Sequence, residues 1–276
     1  MLAALLIVFR EVLEAGLIVG VVLAASEGMG GRGHFVLGGI VAGVLGAGLV
    51  AVFAQRLSDA FAGSGQQVFN ATILIAAVLM LGWHNVWMAR HARELTTQMK
   101  TLGRSVASGE RTLLAMAVVI AVAVLREGSE VVLFLYGIAA SGGSEPLAML
   151  TGGLLGVAAG VLLAWLIYRG LLAIPTGRLF SVTNVLIALL AAGMAGQAAV
   201  YLVQADALPS LGAQIWDTSG LLPDDSLVGR ALRALVGYSD RPMGIQVAAY
   251  LGVLAVLAGL GRFLGARPAL RRPTAG

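Results

Sequence analysis

Seven apolar stretches, each close to the roughly 20 residues needed to cross a bilayer, alternate with polar or Gly-rich breaks along this chain. The stretches cover residues 2–24, 35–54, 68–88, 113–139, 147–167, 179–203 and 244–264. Between them lie breaks at 26–33, 55–67, 89–112, 140–146, 168–177 and the long 204–243. Apolar runs of this length, repeated throughout, predict an all-α polytopic membrane protein with seven transmembrane helices and a single domain over 1–276. No basic residue precedes Leu2, and three charges interrupt the first stretch, so it reads as a retained helix and not a cleavable signal peptide.

Those three charges are the most informative break in the apolar pattern. They form Arg10-Glu11-Val12-Leu13-Glu14, and the fourth stretch carries the same spacing in Arg126-Glu127-Gly128-Ser129-Glu130. By insertion scales an ionised side chain at the centre of a membrane helix costs about 2.5–3.5 kcal/mol. Six such groups are tolerable only if they meet inside the protein. On a helix, Glu11 and Glu14 are three apart and Arg10 and Glu14 four apart, so all three project to one side. The same holds for Arg126, Glu127 and Glu130. Two such helices face to face would offer four carboxylates and two guanidinium groups, an excess of negative charge that suits a cation. Carboxylate oxygens are hard ligands for Mg2+, Ca2+, Mn2+ or iron. Each neighbouring Arg favours the ionised acid that a ligand must be. A packing role for Arg10–Glu14 and Arg126–Glu130 as buried ion pairs accounts for two carboxylates and leaves Glu11 and Glu127 without partners. A proton relay without metal is the other reading of intramembrane acids.

The motifs also expose a repeat. They lie on spans 1 and 4, three helices apart, so their helices cross in opposite directions. Gly38-Gly39 with Gly46 matches Gly152-Gly153 with Gly160, and Phe69, Thr72 and Gly82 match Phe180, Thr183 and Gly193. The expectation is an inverted repeat of three helices, about 1–90 and about 112–204, then an outer loop of about 204–243 and a seventh helix of about 244–264. Such repeats place transport sites near the midplane between the halves. Gly152, Gly156 and Gly160 fall on one face, as do Gly39 with Gly43 and Gly16 with Gly20, a spacing that lets membrane helices pack closely.

Composition narrows the chemistry. The chain is 59% hydrophobic and 12% charged, about half the charged fraction of a soluble domain. Its net charge of +4 is no nucleic-acid signature, because most basic residues sit just outside the apolar stretches. Twelve of the 18 Lys and Arg fall on one side and four on the other, which places the N-terminus outside and the C-terminus in the cytoplasm. The absence of cysteine excludes disulfides, iron–sulfur clusters and thiolate metal sites. Neither H-E-x-x-H nor G-x-S-x-G occurs, so no embedded hydrolase is expected. Secondary candidates are His84, late in span 3, Ser129 inside the second motif, and Asp217 among the acids of the outer loop, which could concentrate cations at an entrance. His91 reads as interfacial, and the basic stretch from Arg90 to Arg111 as a topology anchor with some attraction to anionic membrane lipid.

Two R-E-x-x-E motifs on the first and fourth of seven helices resemble the oxidase-dependent iron permease family, which spans fungal high-affinity iron permeases and bacterial EfeU-type permeases. Trp216-Asp217-Thr218-Ser219, Gly237-Tyr238, Pro242, Gln246 and Tyr250 resemble the C-terminal region of the bacterial members. The resemblance covers nearly the whole chain. It implies a multi-pass permease of the bacterial cytoplasmic membrane, not an enzyme, in which Glu11, Glu14, Glu127 and Glu130 handle the ion and Arg10 and Arg126 support them. It implies iron, Fe2+ or Fe3+, as cargo and no permanently bound cofactor. It also implies partners outside the membrane, a periplasmic iron-binding protein and a haem-dependent peroxidase, or an oxidase as in fungi. Val12 departs from the Gly of many relatives. A permease for lead or manganese, or a membrane metal sensor that does not transport, are the alternatives.

Overall fold

A computed structural model describes residues 1–60, 65–108, 112–141, 145–170 and 176–265. Among them lie eight helices and no strand: α1 (Leu2–Ala25), α2 (Arg32–Ala60), α3 (Gln66–Ala107), α4 (Leu113–Ala140), α5 (Pro146–Tyr168), α6 (Thr176–Gln204), α7 (Leu227–Val236) and α8 (Gly244–Gly265). Among the described residues, four stretches are long and apolar enough to cross a membrane: Arg32–Leu57, Gln66–His84, Pro146–Tyr168 and Val182–Gln204. The helices α1 and α4 are as long, but each carries its three-charge motif. A shorter apolar run, Gly244–Leu260, lies in α8. Large apolar side chains stand exposed along α2 (Leu45, Leu49, Phe53) and α5 (Leu147, Leu154, Leu162). An outward apolar surface on helices whose backbone groups are satisfied internally is what lipid accepts. The chain is a multi-pass membrane protein.

Local chemistry fixes several boundaries. The Thr112 hydroxyl accepts a hydrogen bond from the Ala115 N–H at 3.2 Å and caps α4. Pro146 opens α5, where its missing N–H has no helical partner to lose. The helix α3 differs from expectation: it runs through residues 89–107, where the polar sequence predicts a break. That segment has one Gly and no Pro, and its Arg, Lys, Glu, Gln, Met and Leu are good helix formers. Polarity ends an apolar span there without ending the helix.

Two close helix pairs carry the motifs. α1 packs on α5, and α4 packs on α2. A Cβ on Gly156 of α5 would lie 2.7 Å from the Leu5 carbonyl oxygen, and one on Gly43 of α2 would lie 2.7 Å from the Ala121 carbonyl oxygen. The stripes of glycine therefore bring backbone against backbone, and they hold each motif helix from behind. On the other side α3 and α6 pack together and reach α1.

The segment 205–243 is built, not loose. Ser226 caps α7 by accepting from the Gly229 N–H at 2.9 Å, and α7 ends at Gly237 with φ +69°. A Cβ on Gly237 would lie 2.3 Å from the Gly193 Cα, so this glycine answers both a left-handed turn and a docking contact on α6. Asp224 and Asp240 exchange backbone-to-carboxylate hydrogen bonds at 3.1 Å, and Arg233 pairs with Asp224. The Tyr238 hydroxyl donates to the Leu222 carbonyl at 2.9 Å. Of the basic residues behind the expected orientation, the side chains of Arg90, Arg93, Lys100, Arg111, Arg178, Arg262, Arg267, Arg271 and Arg272 lie outside the described residues.

Candidate metal site

Both motifs turn inward, and they meet. Along α1, buried Ala3, Ala4 and Ile7 precede the charged turn and Val22 follows it; along α4, Met116 and Ile120 precede and Phe134 and Ile138 follow. Ala3, Ala4, Ile7, Phe134 and Ile138 belong to one apolar cluster, closed by Leu74 and Leu81 of α3 and Met194 of α6. Val22, Met116 and Ile120 belong to another, with Val36 of α2 and Val106 of α3. The charged layer thus lies between two apolar clusters.

Within it the acids are deeply buried. Arg10 and Glu11 are 1% exposed, Glu14 and Glu127 3%, and Glu130 9%. Arg10 Nε donates to Glu14 Oε1 at 2.8 Å, the four-residue pairing that a helix face provides. Arg126 Nε donates to Glu130 Oε1 at 3.2 Å. Buried ions left unpaired are strongly destabilising, and these two contacts neutralise one carboxylate per helix. The remaining two, Glu11 and Glu127, are 4.0 Å and 3.8 Å from their neighbouring guanidinium groups, too far for hydrogen bonds. The two arginines differ: the Arg126 side chain is 40% exposed and stacks over Trp87, 4.6 Å from the ring centroid. Arg10 is enclosed.

The residue that joins the motifs is His84 of α3, 2% exposed. Its Nε2 is 3.2 Å from Glu14 Oε2, and its Nδ1 is 2.5 Å from Glu130 Oε2, the latter without hydrogen-bond alignment. One ligand atom from each of Glu11, His84, Glu127 and Glu130 lies within 4.8 Å of the others. Three carboxylates and an imidazole at that spacing can hold a divalent metal ion after modest inward movement to the roughly 2.0–2.2 Å of small-cation coordination.

Other candidates stand apart. The Ser129 hydroxyl donates to the Leu125 carbonyl of its own helix at 2.7 Å. Asp217 is exposed in the outer segment, where its Oδ1 accepts from the Ser219 hydroxyl at 2.6 Å and the Ser219 N–H at 3.0 Å, and Oδ2 is 3.1 Å from Arg241 Nε. These Ser219 hydrogen bonds first, and Arg241 second, pull its carboxyl down to about 2. The side chain of His91 lies outside the described residues. A cavity of about 50 Å³ under the outer segment, lined by Ser141, Gln197, Arg233, Tyr238 and Gln246, contains none of the motif residues. The charged layer, not this cavity, holds the convergent ligands. Nothing in the sequence near residue 84 signals the convergence, since His84 is 70 residues from Glu14 and reaches it only by the packing of α3.

The chain matches the model of the iron permease FTR1 family over residues 1–266. It is 29% identical over 254 residues to a protein of Escherichia coli O6:H1 named ferrous iron permease EfeU, with 91% of each chain covered. A protein of that name from Shigella sonnei is 29% identical over 255 residues, again with 91% of each chain covered. One from Yersinia pestis is 28% identical over 254 residues, covering 91% of this chain and 89% of the relative. No solved structure matches significantly.

Proposed function

Because this chain belongs to the iron permease FTR1 family, we propose that it carries Fe2+ across the bacterial cytoplasmic membrane through the charged layer between α1 and α4. It is a transporter, not an enzyme. Seven helices, α1 to α6 and α8, span the bilayer, with the N-terminus outside and the C-terminus in the cytoplasm. The first six form an inverted repeat of three. The exchange of partners supports this: α1 packs on α5 of the other half, and α4 on α2.

One observation carries the proposal. The two Arg-Glu-x-x-Glu turns, 116 positions apart, meet through His84 between two apolar clusters. Such a concentration of ionisable groups is expensive in a membrane and marks an ion pathway. Glu11, Glu14, Glu127 and Glu130 form the carboxylate site, and Arg10 and Arg126 offset part of its negative charge. Ser129 and Asp217 remain outside this set, since each is engaged elsewhere. Iron is the cargo and not a resident cofactor. The choice of Fe2+ rests on the names of the relatives. An iron-binding or iron-oxidising partner meets the outer segment 205–243, the longest connection between long helices on that face.

Uptake of radioactive iron into proteoliposomes tests the reading, with Fe2+ under reductant and Fe3+ citrate in parallel and Glu130→Gln as control. The proposal expects Fe2+ uptake that disappears in the variant. Uptake of Fe3+ alone overturns the choice of ion, and Fe2+ uptake unchanged in Glu130→Gln overturns the site.

A further inference from the structure

The charged layer is not symmetric, although its two motifs are. Glu14 has both oxygens committed, Oε1 to Arg10 at 2.8 Å and Oε2 to His84 at 3.2 Å. Its counterpart Glu130 has Oε1 on Arg126 at 3.2 Å and Oε2 without a hydrogen bond, and Glu11, three residues before Glu14 and 1% exposed, has neither oxygen hydrogen-bonded among the described residues. The buried atoms without such a partner are Arg10 Nη1, both Glu11 oxygens, His84 Nδ1, Glu127 Oε2 and Glu130 Oε2. Apart from the arginine nitrogen, they belong to the same four residues whose ligand atoms converge within 4.8 Å. Buried polar atoms are almost always satisfied. Here five that lack a hydrogen bond belong to the four converging residues, with His84 Nδ1 and Glu130 Oε2 2.5 Å apart but not aligned as a hydrogen bond.

Resting on the iron-permease reading, we propose that the ion is held by Glu11, Glu127, Glu130 and His84 Nδ1, and that Glu14 is a positioning residue which orients the imidazole. A carboxylate facing Arg10 accepts only, so His84 Nε2 donates to Glu14; a metal at Nδ1 takes the place of any proton shared there with Glu130 Oε2, 2.5 Å away, because a ligating imidazole is neutral. This carboxylate–histidine–metal arrangement fixes both tautomer and ring orientation. Charge agrees with it. Arg10 offsets Glu14, and Arg126 offsets Glu130, so Glu11 and Glu127 supply two negative charges for a dication.

The imidazole also supplies selectivity. Four carboxylates alone accept Mg2+ and Ca2+, which are abundant and prefer oxygen, whereas a nitrogen ligand favours first-row transition ions. His84 is therefore the residue that discriminates Fe2+ from alkaline-earth ions.

The test uses the full chain in lipid nanodiscs with Mn2+ as a paramagnetic probe and pulsed electron paramagnetic resonance as readout. Wild type should show ¹⁴N coupling from one imidazole. His84→Gln keeps a donor toward Glu14 but removes Nδ1; it should lose the coupling and weaken Mn2+ binding by roughly 100-fold or more. Glu14→Gln should keep the coupling and weaken binding roughly 10- to 100-fold, as loss of a supporting contact does. In proteoliposomes, excess Mg2+ should suppress Fe2+ uptake at least about tenfold more effectively in His84→Gln than in wild type, on the ligand preferences above. Bound Mn2+ without ¹⁴N coupling, no Mn2+ binding by wild type, or unchanged affinity in His84→Gln each overturns the ligand set. Fe2+ uptake by the wild type is scored separately, so the ligand set can fail while the permease reading stands.

Discussion

Replacing Gly156 with Ala tests whether the glycine stripe sets the position of the first motif. The added Cβ would lie 2.7 Å from the Leu5 carbonyl oxygen, 2.9 Å from the Phe9 nitrogen and 2.9 Å from the Val8 Cβ. Ordinary contact begins near 3.4 Å. Two of those atoms are backbone, so no side chain can swing away, and α1 must retreat from α5 by roughly half an ångström. Overpacking of this kind costs about 1–3 kcal/mol. Gly153 lies on the same helix with nothing within 4 Å of its added Cβ, which makes Gly153→Ala the matched control. Both variants gain the same helix propensity, up to about 1 kcal/mol, so their difference isolates the clash. At roughly 2–4 °C per kcal/mol for a chain of this size, Gly156→Ala should melt about 2–12 °C below Gly153→Ala. Tryptophan fluorescence on heating is a suitable readout, because the chain has four Trp and no Cys for a thiol dye. The same retreat displaces Glu11 and Glu14, so Fe2+ uptake should fall in Gly156→Ala and persist in Gly153→Ala. Equal melting and equal uptake would refute the argument.

Two further outcomes concern the outer segment. Gly237→Ala places a Cβ at positive φ, worth about 1–2 kcal/mol, and also 2.3 Å from the Gly193 Cα; hydrogen exchange across 227–243 should accelerate while that of α1 does not, and unchanged exchange contradicts the docking contact. Asp217, drawn down to about 2 by Ser219 and then Arg241, contributes above its unfolded value near 3.9 and loses that contribution only as pH falls through about 2. Hydrogen exchange at 217–222 should therefore differ between wild type and Asp217→Asn by the same factor at pH 7 and pH 5, and a difference that vanishes at pH 5 counts against the assignment.

The long helices were legible because each apolar stretch is bounded by polar or Gly-rich residues, and the charged motifs because nothing else in an apolar run looks like them. Four features were not. Residues 89–107 lack apolar character yet continue α3, since helix propensity and hydropathy are separate properties. The helix α7 is short and lies in a segment that reads as a connection. The role of His84 in joining the turns depends on which face α3 presents to α1 and α4, a tertiary fact without local signature. The inequality of Arg10 and Arg126, one enclosed and one 40% exposed against Trp87, is likewise invisible in two motifs of identical spacing.

The central claim is that both motifs build one ion site. Its most direct test is the stoichiometry of Fe2+ bound to the purified full chain by anaerobic equilibrium dialysis, in wild type, Glu11→Gln and Glu127→Gln. A shared site predicts about one ion per chain in wild type and almost none in either variant, because each variant removes a converging ligand. Two ions in wild type and one in each variant would contradict it, since each motif would then bind iron on its own.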